Sequence, residues 1–523
     1  MIHRDSGGNC VERRLLALMI SVALLGAVLP GLIGRRGAGG IGASDGVDGS
    51  LESYSIGVTK RTDVTDSSGM TDSTGMTDGS GSASDNASSV ADGPDVGGMS
   101  DSTSADISTS SDGDAASVVS SVPGERDADS SAVPTKACDA LPMGTRTEDG
   151  VPLLGGTVRA LWIASAYAID YPSGDGGCIA ELRAEINRIV KNASDMGMSA
   201  IFFQVRPAAD ALYRSEIFPV SSVLGGELPY GFDPLAELCA AAHRRGISVV
   251  AWVNPLRVTL KAFQTREQAL ASLSASSPAS QHPEYCAFPG GRLWLDPGYP
   301  EVRELVAAGV AEIARDYPVD GVLFDDYFYP YPSAADGWDD SESYALYGGG
   351  AEPGDFRRAN ISELIRLCSE AVHGARDAEA PSCVFGVSPF GIWRNFSLDP
   401  RGSDTRGFSA YDGIYADALE WVRSRTVDFL SPQIYFRRDD PAAPALTLMQ
   451  WWSDALGGSG IPLIFSLADY KAAQWEDGGE IAEQELLSRD IPGCIGCAHY
   501  GYGALCADDY GVRSCLSEAV MSE

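Results

Sequence analysis

From residue 151 onward, short apolar and β-branched runs alternate with longer amphipathic segments of helical length. The pattern predicts strands at residues 157–164, 200–205, 247–253, 321–324, 384–388, 427–435, 462–467 and 494–500. Helices are expected at 179–196, 234–245, 301–316, 355–375, 413–425, 446–456 and 481–489, with a last one around 512–521. Gly246 closes the second of these, as glycine does where a helix ends in a left-handed residue. Eight βα units of this size make a closed parallel (β/α)8 TIM barrel the leading architecture. A doubly wound open sheet fits less well. No Gly-rich phosphate-binding turn follows the first strand, where Trp162-Ile-Ala-Ser-Ala-Tyr167 stands instead.

Polar residues gather where these strands end. The fourth strand runs from Asp320-Gly-Val-Leu-Phe into Asp325 and Asp326, then into Tyr327, Phe328, Tyr329 and Tyr331. Paired acids at the end of a buried strand need a reason, because desolvating an unpaired carboxylate costs several kcal/mol, on the order of a fold's whole margin. Strand two ends in Gln204-Val-Arg206 with Asp210 beyond, and strand three in Trp252-Val-Asn254-Pro-Leu-Arg257. Strand five leads to Trp393 and Arg394, strand six to Gln433 and Tyr435, strand seven to Asp469-Tyr470-Lys471, and strand eight to His499-Tyr500. In a parallel barrel these ends converge on one rim, where such enzymes work. Amides and carboxylates suit vicinal hydroxyls, and aromatic faces suit the apolar side of a sugar ring. His499 reads as a core histidine.

Other chemistries find less support. Five histidines show neither His-x-His nor His-Glu-x-x-His spacing, so no metal site is expected. Gly-x-Ser-x-Gly is absent, which argues against a serine nucleophile. Cys494-Ile-Gly-Cys497 has the spacing of a zinc half-site without a partner pair, and reads as structural or disulfide-forming. A net charge of −34 argues against a nucleic-acid partner, and no cofactor is implied.

Composition divides the chain into three parts. Arg13-Arg14 precede an apolar run at 15–29 closed by Pro30 and Gly31, so residues 1–37 read as an export signal or an uncleaved membrane anchor. Residues 38–150 form an acidic Ser, Asp and Gly-rich stretch with a partial Gly-Met-Thr-Asp repeat, expected to be a disordered linker. Residues 151–523 have ordinary globular composition and make the barrel. The globular part is therefore expected outside the cytoplasm. A flexible tether of this length reaches about 50–60 Å by random-coil scaling.

The motifs resemble the glycosyl hydrolase-like 10 family of bacterial envelope proteins. The matching segments are Phe203-Gln-Val-Arg-Pro207 with Asp210-Ala-Leu-Tyr213, Gly231-Phe-Asp-Pro-Leu235, and Ala251-Trp-Val-Asn-Pro-Leu-Arg257. Further on come Trp294-Leu-Asp-Pro-Gly298, the stretch from Asp320 to Pro332, Ser388-Pro-Phe-Gly-Ile-Trp-Arg394, and Ser431-Pro-Gln-Ile-Tyr435. The resemblance implies a TIM-barrel glycosidase acting on peptidoglycan glycan strands that lack stem peptides. The fourth strand is also similar to the Asp-Gly-x-Arg-x-Asp nucleophile strand of α-amylase-type glycosidases, which implies the nucleophile position for Asp325. Those enzymes carry a Glu acid after strand five, where this chain has Ser388-Pro389.

These readings give a glycoside hydrolase working through two carboxylates. Asp325 is expected as nucleophile or general base, held by Arg206 and Asn254. Asp326, Asp210 and Asp296 compete for the role of acid. Gln204, Trp252, Arg257, Tyr327, Trp393, Arg394, Gln433 and Tyr435 are expected to line the sugar subsites. Two alternatives stay open: an inactive cell-surface barrel that only binds glycan, and a glycosidase for an exogenous polysaccharide.

Overall fold

The computed structural model describes residues 157–521, apart from 174–177, 333–334 and 377–381. The expected signal or anchor segment and the acidic linker lie outside these residues.

Eight parallel strands close on themselves. In chain order they are β1 (Val158–Ile163), β2 (Ala200–Arg206), β3 (Ser248–Val253), β4 (Gly321–Phe324) and β5 (Val384–Val387). Then come β6 (Phe429–Leu430, resuming at Gln433–Ile434), β7 (Leu463–Leu467) and β8 (Cys494–His499). Each pairs with the next, and β8 returns to β1 with Val158 opposite Gly496 and Leu161 opposite His499. The chain is thus a closed (β/α)8 barrel. The sixth strand is interrupted at Ser431-Pro432, as expected where proline cannot donate to the ladder.

The outer helices are α1 (Ile179–Asp195), α2 (Pro234–His243), α3 (Pro300–Asp316), α4 (Pro353–Gly374), α5 (Ala418–Arg423), α6 (Ala445–Leu456), α7 (Gly479–Ser488) and α8 (Val512–Met521). Several start as their sequences dictate. Asp233 caps α2 through Leu235 N and Ala236 N with Pro234 at the first turn, and proline also opens α3 and α4. The fifth unit departs most from expectation. Its single helix at 413–425 becomes one turn at Ala410–Gly413 and the short α5.

Two apolar layers result. Val158, Ala160, Trp162, Ala200, Phe202, Val250, Trp252, Leu323, Val384, Phe429, Ile464 and Ala498 fill the barrel, while the alternate residues pack against the helices. Large rings inside require small partners. A Cβ on Gly386 would meet the Phe429 ring at 2.3 Å, so β5 contributes backbone where β6 contributes a phenyl. Trp162 sits near the top, edge-on to Phe202 at 4.9 Å and to Trp252 at 4.8 Å. These rings are both the lid of the core and the floor of whatever lies above.

Between β3 and β4 the chain makes a long excursion with helices Arg266–Ala271 and Pro278–Gln281 and an antiparallel ribbon pairing Cys286–Ala287 with Trp294–Leu295. The nine cysteines among the described residues are all unbridged. Cys497 is buried with its Sγ 3.1 Å from Ser488 Oγ.

Candidate active site

The carboxyl ends of the strands surround a cleft lined by Trp162, Trp252, Asp325, Asp326, Tyr327, Tyr331, Gln433, Tyr435, Tyr470 and Tyr500. β4 supplies both acids. Leu323 faces the barrel interior, so Asp325 follows it inward by the two-residue period. The chain then turns, with Phe328 N–H donating to Asp326 O at 3.0 Å, and this bend turns Asp326 into the same cleft.

Asp325 is held by three donors. Its Oδ2 accepts from Trp252 Nε1 at 2.9 Å and Asn254 Nδ2 at 2.5 Å, and its Oδ1 accepts from Tyr327 N at 3.1 Å. Behind Asn254 stands Gln204, whose Nε2 donates to Asn254 Oδ1 at 2.5 Å. Gln204 Oε1 in turn accepts from Ser165 N at 2.9 Å and Ala166 N at 2.8 Å. A relay of hydrogen bonds therefore joins the ends of β1, β2, β3 and β4. Asp326 is held separately, by the Tyr331 hydroxyl and by Gln433 Nε2 at 3.0 Å.

Two buried carboxylates so close share an electrostatic problem. Burial pushes Asp325 up from the usual carboxylate range, and the charge of Asp326 pushes it further, while Arg257 pulls it back. Burial likewise raises Asp326, opposed by its bonds to Tyr331 and Gln433 and by Arg257. The pair therefore retains a proton at higher pH than free aspartates would. Arg257 lies over the Tyr327 ring, 5.0 Å from its centre, with Nε donating to Pro207 O at 2.8 Å.

Aromatic rings form the rest of the wall. Tyr435 and Tyr500 are near parallel with centres 6.1 Å apart, and Tyr470 meets Tyr500 edge-on at 5.5 Å. Gly501 holds a φ of 142°, and a Cβ there would meet Tyr470 N at 2.5 Å, so glycine lets the ends of β7 and β8 meet. Behind the wall, His499 lies fully buried with Nδ1 3.1 Å from Asp469 Oδ1 and Nε2 3.5 Å from Glu485 Oε2. It belongs to the core.

The structure brings Gln204, Trp252, Asn254, Arg257, Asp325, Asp326, Tyr327, Gln433 and Tyr435 to one place. Arg206 is elsewhere. A bulge in β2 shifts the register between Gln204 and Arg206, which turns Arg206 out of the barrel and onto Phe218, 3.7 Å from the ring centre. Asp325 is thus held by Trp252 and Asn254, and not by Arg206. Asp210 lies on the same outer side, accepting from Ser221 Oγ at 2.5 Å. Asp296 sits in the β3–β4 excursion, taking hydrogen bonds from Ser343 Oγ at 2.5 Å and Gly298 N at 2.8 Å. Burial raises its carboxyl to about 6, yet it does not line the cleft. Trp393 and Arg394 lie beyond the rim: Trp393 is buried against Trp451 and donates to Asp417, and Arg394 pairs with Asp412 and Asp399. Trp162, Tyr331, Tyr470 and Tyr500 complete the cleft; the last three are expected at the strand-end rim, but none of the four stands among the expected subsite residues. Their signal is visible in retrospect, since each is an aromatic residue at or just past a strand end.

Comparison with known proteins identifies the family of the barrel. A family model described as glycosyl hydrolase-like 10 matches residues 157–477. Glycosyl hydrolase YngK of Bacillus subtilis (strain 168) is 35% identical over 376 residues, covering 70% of this chain and 72% of the relative. Glycosyl hydrolase DigH of Escherichia coli (strain K12) is 36% identical over 354 residues, covering 65% of this chain and 78% of the relative. Among solved structures, the glycoside hydrolase domain of PgaB (BpsB) from Bordetella bronchiseptica aligns with a TM-score of 0.45 and 16% identity, over 69% of this chain and 99% of that domain. With the family model and both relatives agreeing over the barrel, the chain belongs to the glycosyl hydrolase-like 10 family and is a glycoside hydrolase.

Proposed function

We propose that the enzyme cleaves the glycan strands of peptidoglycan outside the cytoplasm, with Asp325 and Asp326 as its catalytic carboxylates. The observation that carries this reading is the buried acid pair on the floor of an aromatic-walled cleft. Acid–base work on a glycosidic bond needs one carboxyl that holds a proton and one that stays charged, and a pair that repels its own second charge provides both. Trp252, Tyr435 and Tyr500 offer flat apolar faces, and Gln433 and Arg257 offer polar edges, which together suit neutral sugar rings.

The choice of peptidoglycan rests on the family resemblance and on the expected export of the barrel. Among the described residues no helix is long and apolar enough to cross a membrane, so an envelope location depends on the apolar run at 15–29. The test is incubation of the purified enzyme with peptide-free glycan strands, intact peptidoglycan and an unrelated polysaccharide, reading soluble oligosaccharides. Release from the peptide-free strands is expected. Cleavage of the unrelated polymer alone would move the substrate outside the wall, and binding to strands without release would leave only a glycan-binding barrel.

A further inference from the structure

Asp325 and Asp326 are chain neighbours at the end of one strand, and that constrains how a glycosidic bond can be attacked. When two enzyme carboxyls flank the sugar, they stand about 5–5.5 Å apart in retaining enzymes and about 6.5–9.5 Å apart in inverting ones. One of them must approach from the face opposite the leaving group. Here both acids rise from β4, and among the described residues lining the cleft there is no third carboxylate. Asp210 and Asp296, the other acids considered, are committed to Ser221 and to Ser343 and Gly298 away from it. Asp170 has its Oδ2 engaged by Ala164 N at 2.9 Å.

The two carboxyls are also not equivalent. Asp325 receives an indole N–H, an amide N–H and a backbone N–H, groups that only donate as they are oriented here, so its oxygens favour the ionised form. Asp326 receives only two donors, the Tyr331 hydroxyl and Gln433 Nε2, and the hydroxyl can turn to accept, so the ionised form has less support there than on Asp325. The proton of the pair belongs on Asp326. Asp325 is then a fixed anion rising from the same strand end as the acid.

We propose that the sugar bound in the cleft carries a 2-acetamido group, and that this group, not a side chain, is the nucleophile. The inference rests on the glycosidase reading above. In the first step the acetamido carbonyl oxygen bonds to C1 as the bond from C1 to the leaving oxygen breaks, and Asp326 gives its proton to that oxygen. Asp325 accepts a hydrogen bond from the amide N–H and balances the positive charge of the oxazolinium ring. In the second step water bonds to C1 and passes a proton to Asp326. The bond between C1 and the acetamido oxygen opens, its electron pair restoring the amide. The two displacements together retain the anomeric configuration, and Asp326 ends protonated as it began.

The experiment compares peptide-free peptidoglycan strands with the same strands after chemical N-deacetylation, and follows the anomer first released by NMR. Deacetylation should lower kcat/KM by at least about 100-fold, a floor well inside the advantage of a positioned intramolecular nucleophile. The acetylated strands should release the retained anomer. Comparable cleavage of deacetylated strands, or release of the inverted anomer, overturns the inference while the glycosidase reading stands. If neither form is cleaved, the peptidoglycan reading falls and this inference with it.

Discussion

Asn254 donates from Nδ2 to Asp325 Oδ2 at 2.5 Å, and the surrounding bonds permit only one orientation of its amide. Gln204 Oε1 accepts from two backbone N–H groups, which turns Gln204 Nε2 toward Asn254 and leaves Asn254 Nδ2 facing the acid. The charge state of Asp325 is thus tied to the backbone at the end of β1.

Gln204→Leu should break that tie. Asn254 is freed to flip, and the N–H groups of Ser165 and Ala166 lose their acceptor, at about 1–3 kcal/mol each for an unsatisfied buried donor. Activity is expected to fall by about 10–100-fold, as when the partner of a catalytic group is removed. Thermal unfolding and kcat measured on the same preparation check both effects.

Tyr331→Phe addresses the pH profile. The tyrosine hydroxyl holds Asp326 down against the upward push of burial, so its removal raises the carboxyl further. A general acid works only while protonated, so activity is lost as pH rises through its pKa. The alkaline limb of kcat/KM should therefore move to higher pH in the variant, with a lower maximum. A limb that moves to lower pH would contradict the assignment of Asp326 as the acid.

Arg206 offers the converse case. It is fully buried on Phe218, and its guanidinium nitrogens have no hydrogen-bond partner among the described residues. Removing a buried cation while the acids it faces, Asp210 and Glu312, stay in place costs about 3–5 kcal/mol. Arg206→Met should therefore lower Tm yet leave kcat and KM of the folded enzyme unchanged, as read by calorimetry and steady-state kinetics. A large loss of kcat with the fold retained would return Arg206 to the mechanism.

His499 sets a stability window. Burial alone would lower its pKa, but Asp469 and Glu485 overcome that and raise it to about 9. A histidine raised in the fold contributes stability in full below its unfolded pKa of about 6.5, and that contribution fades as pH rises through about 9. Denaturant midpoints should fall across that interval. His499→Leu strands two buried carboxylates and should cost about 3–5 kcal/mol.

The barrel was legible because each βα unit repeats the same apolar punctuation, and strand ends fall within a residue or two of their expected places. The site was legible where a side chain obeys strand parity: Gln204, Trp252 and Asp325 all point inward on schedule. It failed where local geometry broke that parity. The bulge at Val205 sends Arg206 outward, and no composition rule announces a bulge. Trp393 and Arg394 follow a strand end closely enough to be expected at the rim, yet the chain beyond β5 carries them out to Trp451 and Asp412. Tyr331 was in plain view in the β4 motif, but its role depends on a turn that brings its hydroxyl to Asp326. Asp296 shows that a raised carboxyl is no substitute for a place in the cleft.

The central claim is that the adjacent acids at the end of β4 perform the chemistry. Its most direct measurement is kcat on peptide-free glycan strands for the native enzyme, Asp325→Asn and Asp326→Asn, each shown to be folded by circular dichroism. Both variants are expected to lose at least about 100-fold in kcat, the lower end of what a positioned acid or base contributes. Native-like turnover by either variant would contradict the account.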